Sequence, residues 1–526
     1  MKTGSGSRVD LESLKALVTQ PGKPIVIDRV AKEGSARLLP GVKRKRGSSL
    51  RQVGAALLAN LGTINTGMAF GFSAVAIPQL EAPDSLIPID KDQASWVASL
   101  AAVTTPIGCI LTGWMMDVIG RKKSLILTQI PTIIGWLLIA YANSLPMIYA
   151  GRLLVGLGSG MVGAPARVYT AEATQPHLRG MLAAIASVGV SLGVLIEYGI
   201  GAVYDWKTVA LISSTVPVLS LLGLFLIPES PQWLVSVGKE SKGRAALAKL
   251  RGPTCDIDFE ANQMINFAQK NNLHKPSTEE VLRGLVQPSA LKPFFILTLY
   301  FLIYQFSGVN SVTFYAVEVF QDSGATWDKY FATVMLGIVR LVITVFSCVC
   351  MRMYGRRTLT FVSSVGCGVS LLTLGSYMWM GEKWAKEGIE PVATWIPIFA
   401  IFVFTAASVL GYLVVPWVMV GEVYPTQVRG IIGGLTTCGC HFFIFLVVKS
   451  YPLFQSLFTK HGTWIFYGCI SSFGTIFFYF FLPETKGRTL QEIEDYFSGR
   501  RKNLGKPNPP SQTPSFIQIQ KGNVLP

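Results

Sequence analysis

Charged residues are scarce in this sequence. Only 14% of its 526 residues are Asp, Glu, Lys or Arg, whereas 50% are hydrophobic, and the mean hydropathy is +0.44. So few charges cannot cover the surfaces of several water-soluble domains. The first fifty residues or so also lack the apolar segment of a cleavable signal peptide, so we expect the first apolar helix to direct membrane insertion. These shortages indicate a protein that lies mostly within a lipid bilayer.

The patterns of an enzyme, a nucleotide-driven pump or a metal protein are also missing. No glycine-rich phosphate loop and no cluster of nucleophile, base and orienting group is visible, so we predict no catalytic residue. Seven of the eight cysteines fall inside apolar runs, and only Cys255 lies in a polar segment. That spacing fits neither a disulfide framework nor a metal site, and small packing residues are the simplest interpretation. We therefore predict no cofactor and no metal.

The net charge of +16 does not indicate nucleic acid as a partner, because the basic residues are spread through short loops and form no single polar face. They instead alternate with acidic or mixed loops along the chain. By the positive-inside rule the basic loops are cytoplasmic, as are both termini. We expect a multi-pass protein of the plasma membrane, with the bilayer as its environment and no obligate protein partner.

Apolar runs long enough to cross a membrane occur twelve times. A bilayer core of about 30 Å needs about 20 apolar residues in a helix. Six runs precede the polar stretch Pro228–Lys292 and six follow it. The sequence thus predicts an all-α membrane protein with twelve transmembrane helices in two bundles. The expected division is a cytoplasmic tail 1–51, a first six-helix bundle 52–227, a cytoplasmic linker 228–292 with short helices, a second six-helix bundle 293–482 and a cytoplasmic tail 483–526.

Three landmarks occur twice in the same order, which indicates an internal repeat. A parallel duplication of a six-helix unit places two pseudo-symmetric halves around an axis along the membrane normal, with a site at the midplane between them. Rocking of the halves would then expose that site to either side of the membrane. The landmarks are Gly120-Arg121 and Gly355-Arg356, Glu172 with Arg179 and Glu422 with Arg429, and Pro228-Glu229-Ser230 and Pro483-Glu484-Thr485.

Together with Arg152-Leu-Leu-Val-Gly156, Pro231-Gln-Trp-Leu234 and Pro416-Trp417, these landmarks resemble the sugar porters of the major facilitator superfamily. The ordered set spans about residues 50 to 500. The stretch Ala164–Gly180 further resembles the facilitated trehalose transporters of insects. The resemblance implies the major facilitator fold and a transporter of a small-molecule sugar, most simply trehalose or a hexose, that works by alternating access.

Charges at the predicted cytoplasmic helix ends are candidates for a gate. Such charges can pair in one conformation and separate in the other, and several pairs together can bias a two-state element. The alternative is that they only set the topology. The candidate gating charges are Asp117, Arg121, Glu172, Arg179 and Glu229 in the first half, and Arg356, Glu422, Arg429 and Glu484 in the second.

The resemblance assigns sugar hydroxyls to the amides of Gln305 and Asn310, and a stacking surface for the sugar ring to Trp417. Amides both donate and accept hydrogen bonds, which suits a polyol. Several other contact positions of the family carry different residues here. Tyr304 and Ser187 each stand for a glutamine, Arg340 for an asparagine, and Cys440-His441 for an asparagine and a tryptophan. All of these residues except Cys440 are candidate substrate contacts.

Arg340 is unusual because an arginine in the middle of an apolar helix is costly unless it is paired or hydrated. Helix rise places Gln305, Arg340 and His441 at a similar depth, roughly 15 to 17 Å from the cytoplasmic ends. One interpretation is a structural ion pair with Glu197, although that residue lies about 10 Å closer to the outer surface. The other is that Arg340 donates to substrate oxygens, with help from His441.

No Asp or Glu occurs between Arg51 and Leu80, where proton-driven relatives usually carry an acid in the first helix. We therefore expect passive transport. Three functional hypotheses stay open at this point. They are a facilitative sugar carrier, a carrier of an organic anion that uses Arg340 and His441, and a nutrient receptor of the same fold that does not transport.

Overall fold

The computed structural model describes residues 48–182, 184–252, 255–273, 278–324, 326–425, 428–488, 490–501 and 504. Most of the predicted tail 1–51, and the predicted tail 483–526 beyond residue 504, lie outside the described residues. Within these ranges every regular element is an α-helix. The all-α architecture predicted from the hydropathy pattern is therefore confirmed.

We number the membrane crossings as spans 1 to 12, and we call spans 1–6 the first half and spans 7–12 the second half. The spans are Ser49–Leu80 (1), Lys91–Ile119 (2), Arg121–Ala140 (3), Leu145–Ala173 (4), Pro176–Leu182 with Ile185–Gly201 (5), Trp206–Ser213 with Thr215–Leu226 (6), Pro288–Phe306 with Val309–Phe314 and Ala316–Asp322 (7), Lys329–Met353 (8), Arg356–Glu387 (9), Ile396–Leu410 with Val415–Val423 (10), and Arg429–Phe481 (11 and 12). Shorter helices outside the spans are Pro231–Ser236, Glu240–Arg251, Ile257–Leu273, Thr278–Val286 and Leu490–Phe497.

The helix Arg429–Phe481 contains two crossings. Its 53 residues would extend to about 80 Å, more than twice the thickness of a bilayer core. The backbone of Thr459 is not helical (φ 66°, ψ 170°), and this break separates residues 429–458 from 460–481. Ten described segments are long and apolar enough to cross a membrane, and the shorter apolar helix Ile185–Gly201 is an eleventh. Dividing the long helix brings the total to twelve, as predicted.

Aspartates fix the starts of three spans at the same face of the molecule. Asp90 accepts a hydrogen bond from the backbone N–H of Gln93 (2.8 Å), and the Gln93 side chain accepts one from the backbone N–H of Asp90, which completes a capping box. The Asp205 side chain accepts from the N–H groups of residues 207 and 208, and Asp328 from those of residues 330 and 331. Each side chain satisfies backbone donors that the first helical turn leaves free. We call this side the acidic face, and the side with Arg121 and Arg356 the basic face.

Small residues allow neighbouring spans to approach closely. The glycine at position 193 in span 5 packs against span 1, and a Cβ built on it would overlap the carbonyl oxygen of Ile64. Gly160 in span 4 meets the carbonyl of Thr105 in span 2 in the same way. Close approach of small residues is the usual means by which membrane helices associate.

A Gly193→Leu substitution is therefore expected to lower the free energy of unfolding by at least about 1–3 kcal/mol, because the new side chain forces spans 1 and 5 apart. Thermal unfolding of the purified protein in detergent measures the effect. Gly199→Leu is the matched control, since it lies in the same helix and nothing lies within 4 Å of a Cβ built there. Equal losses for both variants would contradict this account of the packing.

Candidate functional site

An ionic cluster lies at the basic face of the first half. Arg121, at the start of span 3, donates from Nε and Nη2 to the two carboxylate oxygens of Glu172 at the end of span 4, both at 3.0 Å. The Ser230 hydroxyl donates to the same carboxylate. Glu229 accepts from the backbone N–H of Lys122 at 2.9 Å and so caps span 3. Asp117 is a weaker partner, since it is 81% exposed and 3.6 Å from Arg121 Nη1.

The second half repeats the main contacts of this cluster, although Arg352 stands at the position equivalent to Asp117. Arg356 Nη2 donates to Glu422 Oε1 at 2.7 Å, and the Thr485 hydroxyl donates to Glu422 Oε2 at 2.6 Å. Glu484 accepts from the backbone N–H groups of Arg356 (2.9 Å) and Arg357 (3.1 Å), and so caps span 9. The landmarks that occur twice in the sequence thus occupy equivalent positions in the two halves.

These clusters join helices within one half and not across the two halves. Arg179 and Arg429, also predicted as gating charges, donate to the backbone carbonyls of Thr174 (3.4 Å) and Tyr424 (3.0 and 3.1 Å). No ion pair between them and a predicted gating carboxylate occurs among the described residues. In this conformation the Arg–Glu pairs brace each half, and their part in gating stays a prediction.

The two halves contact each other near the acidic face. Lys449 Nζ, in span 11, binds Asp92 Oδ1 (2.7 Å) and the Ser95 hydroxyl (2.8 Å) at the start of span 2, and lies 4.2 Å from the centre of the Trp96 ring. The Trp96 ring also packs on Phe445, with centroids 6.2 Å apart. Sequence analysis did not single out these contacts. They close the space between the halves on this side.

Spans 5 and 7 close the same side nearer the midplane. The Tyr198 hydroxyl of span 5 donates to the Thr313 carbonyl of span 7 at 2.6 Å. Phe70 of span 1 packs on Phe314, with ring centroids 5.2 Å apart. The Ser191 hydroxyl of span 5 also bonds the Thr344 hydroxyl of span 8 at 2.7 Å.

Arg167 lies between the halves, closer to the basic face. Its guanidinium carbon is 5.4 Å from the centre of the Trp417 ring, and the Trp417 ring lies 6.2 Å from the His441 ring. Arg167 is exposed, and Trp417 and His441 are half-buried. We call this space between spans 4, 10 and 11 the vestibule. Since the acidic face is closed, water reaches the vestibule from the basic face.

Sequence analysis placed His441 at a depth similar to that of Arg340, and the structure places its ring beside that of Trp417. Its Nδ1 lies 2.9 Å from the Thr437 carbonyl oxygen. Helix rise gives the depth of a residue but not the direction of its side chain, so the sequence did not show this contact. The signal for Arg167 was available, because it is a basic residue within the apolar run of span 4.

Two predicted sugar-binding amides meet at the midplane. The Asn310 side chain donates to Gln305 Oε1, and Gln305 Nε2 lies 3.4 Å from Cys440 Sγ. Both amides are buried, as is Tyr304, whose ring packs on Tyr412 with centroids 5.8 Å apart. Each amide therefore keeps hydrogen-bonding capacity that a polyol can use. Ser187 is half-buried in span 5, and among the described residues no hydrogen bond joins its side chain to the other predicted contacts.

Arg340 is buried at the interface of the halves. Its Nη1 donates to the Thr313 hydroxyl at 3.0 Å. Glu197 instead accepts from the Ser213 hydroxyl at 2.9 Å, within the core of the first half. No ion pair of Arg340 occurs among the described residues, so the interpretation of a structural pair with Glu197 is wrong.

Two repeated six-span halves, closed against each other at one face and holding polar side chains at the midplane, define a solute transporter of the major facilitator fold. The chain belongs to the family "Sugar (and other) transporter", whose profile matches residues 55–497. This family contains transporters and not enzymes. The multi-pass membrane character predicted from the hydropathy pattern is thereby confirmed.

Similar proteins include facilitated trehalose transporters Tret1 of insects. The Culex quinquefasciatus protein is 30% identical over 86% of this chain and 87% of its own length. The Apis mellifera ligustica protein is 31% identical over 87% of this chain and 90% of its own length. The Aedes aegypti protein is 31% identical over 86% of this chain, which spans only 56% of that relative.

Solved structures of the xylose transporter XylE from E. coli share the fold. An inward-open structure gives a TM-score of 0.69 at 21% identity and covers 84% of this chain and 98% of that chain. A partially occluded inward-open structure gives a TM-score of 0.68 at 21% identity and covers 84% of this chain and 100% of that chain.

Proposed function

We propose that this protein is a facilitative transporter that carries a sugar, trehalose or a hexose, across the plasma membrane by alternating access. The observation that carries the proposal is the pair of buried amides, Gln305 and Asn310, at the midplane where the two halves meet. They lie beside Cys440, one residue before His441, whose ring faces Trp417. The two amides can hydrogen-bond the hydroxyls of a sugar, and the Trp417 indole offers a flat surface on which the sugar ring can stack. The relatives named as trehalose transporters support the choice of sugar.

Passive transport is supported by the surroundings of Arg152. Its guanidinium donates to the Ala69 carbonyl (2.8 Å) and the Ser73 hydroxyl (2.7 Å) of span 1, and to the Val97 carbonyl (2.8 Å) of span 2. All of these acceptors are neutral, so the Arg152 guanidinium makes no hydrogen bond to an acid that could take up or release a proton in this conformation. The one acid of span 5, Glu197, is fully buried inside the first half.

The charge pattern supports the orientation. We propose that the basic face and both termini are cytoplasmic, as the positive-inside rule requires. The conformation described above is then open to the cytoplasm. We further propose the division into a tail 1–51, bundles 52–227 and 293–482, a linker 228–292 and a tail 483–526. In this arrangement the Arg–Glu clusters keep each bundle rigid while it rocks.

Counterflow in proteoliposomes tests the proposal. We expect saturable exchange of radiolabelled trehalose or glucose without a pH gradient. Gln305→Leu should reduce the exchange about tenfold, because it removes hydrogen bonds to the sugar. Gln455→Leu is the matched control, since that amide bonds Tyr451 in span 11, near the acidic face. Sugar binding without counterflow would favour a receptor, and an absence of both would overturn the proposal.

A further inference from the structure

A small cavity surrounds Arg340 at the interface of the two halves. Span 8 contributes Arg340, span 7 contributes Thr313, span 10 contributes Thr405 and Ser408, and span 5 of the first half contributes Tyr198. Apolar side chains of spans 7, 8 and 10 complete the wall. The cavity thus brings one guanidinium and several hydroxyls together in an otherwise apolar setting. Because residues of both halves line the cavity, it forms only when the two halves are in contact.

Among the residues that the structure describes, no carboxylate lines the cavity to balance the charge of Arg340. The side chain is only 5% exposed, and the ionisable groups that act on it are the tyrosines Tyr198 and Tyr304. Its Nε is buried and has no hydrogen-bond partner in the part of the chain that the structure describes. A buried guanidinium is normally paired, because the cost of removing the charge from water is otherwise not offset. The buried positive charge of Arg340 is therefore unbalanced, and an anionic group bound in the cavity would balance it.

The hydroxyl groups leave a small set of free donors. The Tyr198 hydroxyl donates to the Thr313 carbonyl (2.6 Å), the Thr313 hydroxyl to the Val309 carbonyl (3.0 Å), and the Ser408 hydroxyl to the Thr405 carbonyl (2.9 Å). The Thr405 hydroxyl has no hydrogen-bond partner within the described ranges. Nη1 forms the one hydrogen bond of the Arg340 guanidinium among the described residues, so its other N–H groups and the Thr405 hydroxyl are the donors that a ligand can use. Donors without a competing carboxylate suit a compact anion.

We propose that the Arg340 cavity binds a small anionic group and that its occupancy stabilises the conformation closed at the acidic face. The group has two possible sources, a free halide such as chloride or the carboxylate of an acidic sugar. The second source rests on the proposed function, because the acidic sugar would then be a transported substrate. In both cases the anion binds donors of the second half, in a cavity that Tyr198 of the first half helps to enclose.

Thermal unfolding of the purified full-length protein tests the site. The baseline is a halide-free HEPES buffer, and the additions are chloride, glucuronate, and glucose as the neutral sugar of the same ring. We expect chloride or glucuronate to raise Tm by about 2 °C or more, and glucose not to reproduce the rise. A response to chloride identifies the free anion as the source, and a response to glucuronate alone identifies the sugar carboxylate. No response to either anion overturns the proposal.

Substitutions assign the response to this cavity. Arg340→Met should abolish the anion-dependent rise and should unfold no earlier than the native protein in the halide-free buffer, because the unpaired charge is gone. Arg167→Met is the matched control, since Arg167 lies in the vestibule and does not line this cavity, so its rise should persist. Persistence of the rise in Arg340→Met would contradict the assignment.

Thr405→Val provides a second test if Arg340→Met does not fold. It keeps the shape of the side chain and removes the free donor, so the anion concentration for half-maximal stabilisation should rise about tenfold. An unchanged concentration would contradict a role for this hydroxyl in the site. Trehalose counterflow is measured separately, so failure of sugar transport and failure of anion binding are distinguishable.

Discussion

An Arg152→Met variant is expected to lose most of its folded protein in detergent, with a free energy of unfolding at least about 3 kcal/mol below that of the native protein. Arg152 is fully buried in span 4, and its guanidinium connects spans 1, 2 and 4. Removing it leaves several carbonyl oxygens and the Ser73 hydroxyl without a donor in a region that water does not reach. Each buried polar group that loses its partner costs about 1–3 kcal/mol. Thermal unfolding and the monodisperse yield after solubilisation measure the loss.

Arg167→Met is the matched control for Arg152→Met. It removes an arginine from the same helix, but Arg167 is exposed and its described contact is the face of the Trp417 ring. We expect its stability to change by no more than about 1 kcal/mol. Arg152→Lys keeps the charge, but its single amine nitrogen cannot make all the hydrogen bonds of the guanidinium. Its free energy of unfolding should therefore lie between those of the native protein and Arg152→Met. Equal stability of both methionine variants would contradict the bracing role of Arg152.

Reversal of one charge in either Arg–Glu cluster is expected to reduce sugar counterflow by roughly 100-fold, which corresponds to about 3 kcal/mol. Glu422→Arg places two guanidinium groups together at a site where both partners are mostly buried, with exposures of 16% for Arg356 and 25% for Glu422. The Thr485 hydroxyl also loses its acceptor. The second half then loses one of the polar contacts between spans 9 and 10, of which the bond from the Ser363 hydroxyl to the Ala407 carbonyl is another. The measurement is the counterflow rate for equal amounts of folded carrier.

The charge swap is the control for this prediction. Arg356→Glu combined with Glu422→Arg restores an opposite-charge pair and should recover part of the rate. The same design in the first half, Arg121→Glu with Glu172→Arg, should behave in parallel because the geometry of the cluster is repeated. Native rates in the single variants would show that these charges only set topology. Recovery in one half alone would contradict the functional equivalence of the halves.

The twelve spans and the repeat were predictable because hydropathy and recurring landmarks are local properties of the sequence. The same landmarks singled out Arg121, Glu172, Arg356 and Glu422 as candidate charges, but they did not show which of these residues pair. The arrangement of the predicted substrate contacts was harder to predict from the sequence. Helix rise gave a depth for Arg340 but not the direction in which its side chain points, so the sequence left open whether Arg340 pairs with Glu197 or faces the substrate.

Contacts between the halves were the hardest to predict. They join residues that are 115 positions apart in Tyr198 and Thr313 and 357 apart in Asp92 and Lys449, and they exist in one conformation and not in the other. No periodic pattern marks such a pair. Arg167 and Trp417 meet across the same interface, and only the three-dimensional arrangement shows that both face the vestibule.

The bridge of Lys449 to Asp92 makes the balance between the two orientations of the carrier sensitive to ionic strength. Asp92 is 77% exposed, so dissolved ions screen this attraction, whereas the better-buried Arg–Glu clusters are screened much less. An exposed pair contributes up to about 1 kcal/mol, which is roughly a fivefold change in the ratio of the two orientations. The salt content of the fluid at the acidic face thereby helps to set how often an empty carrier presents its binding site to that side.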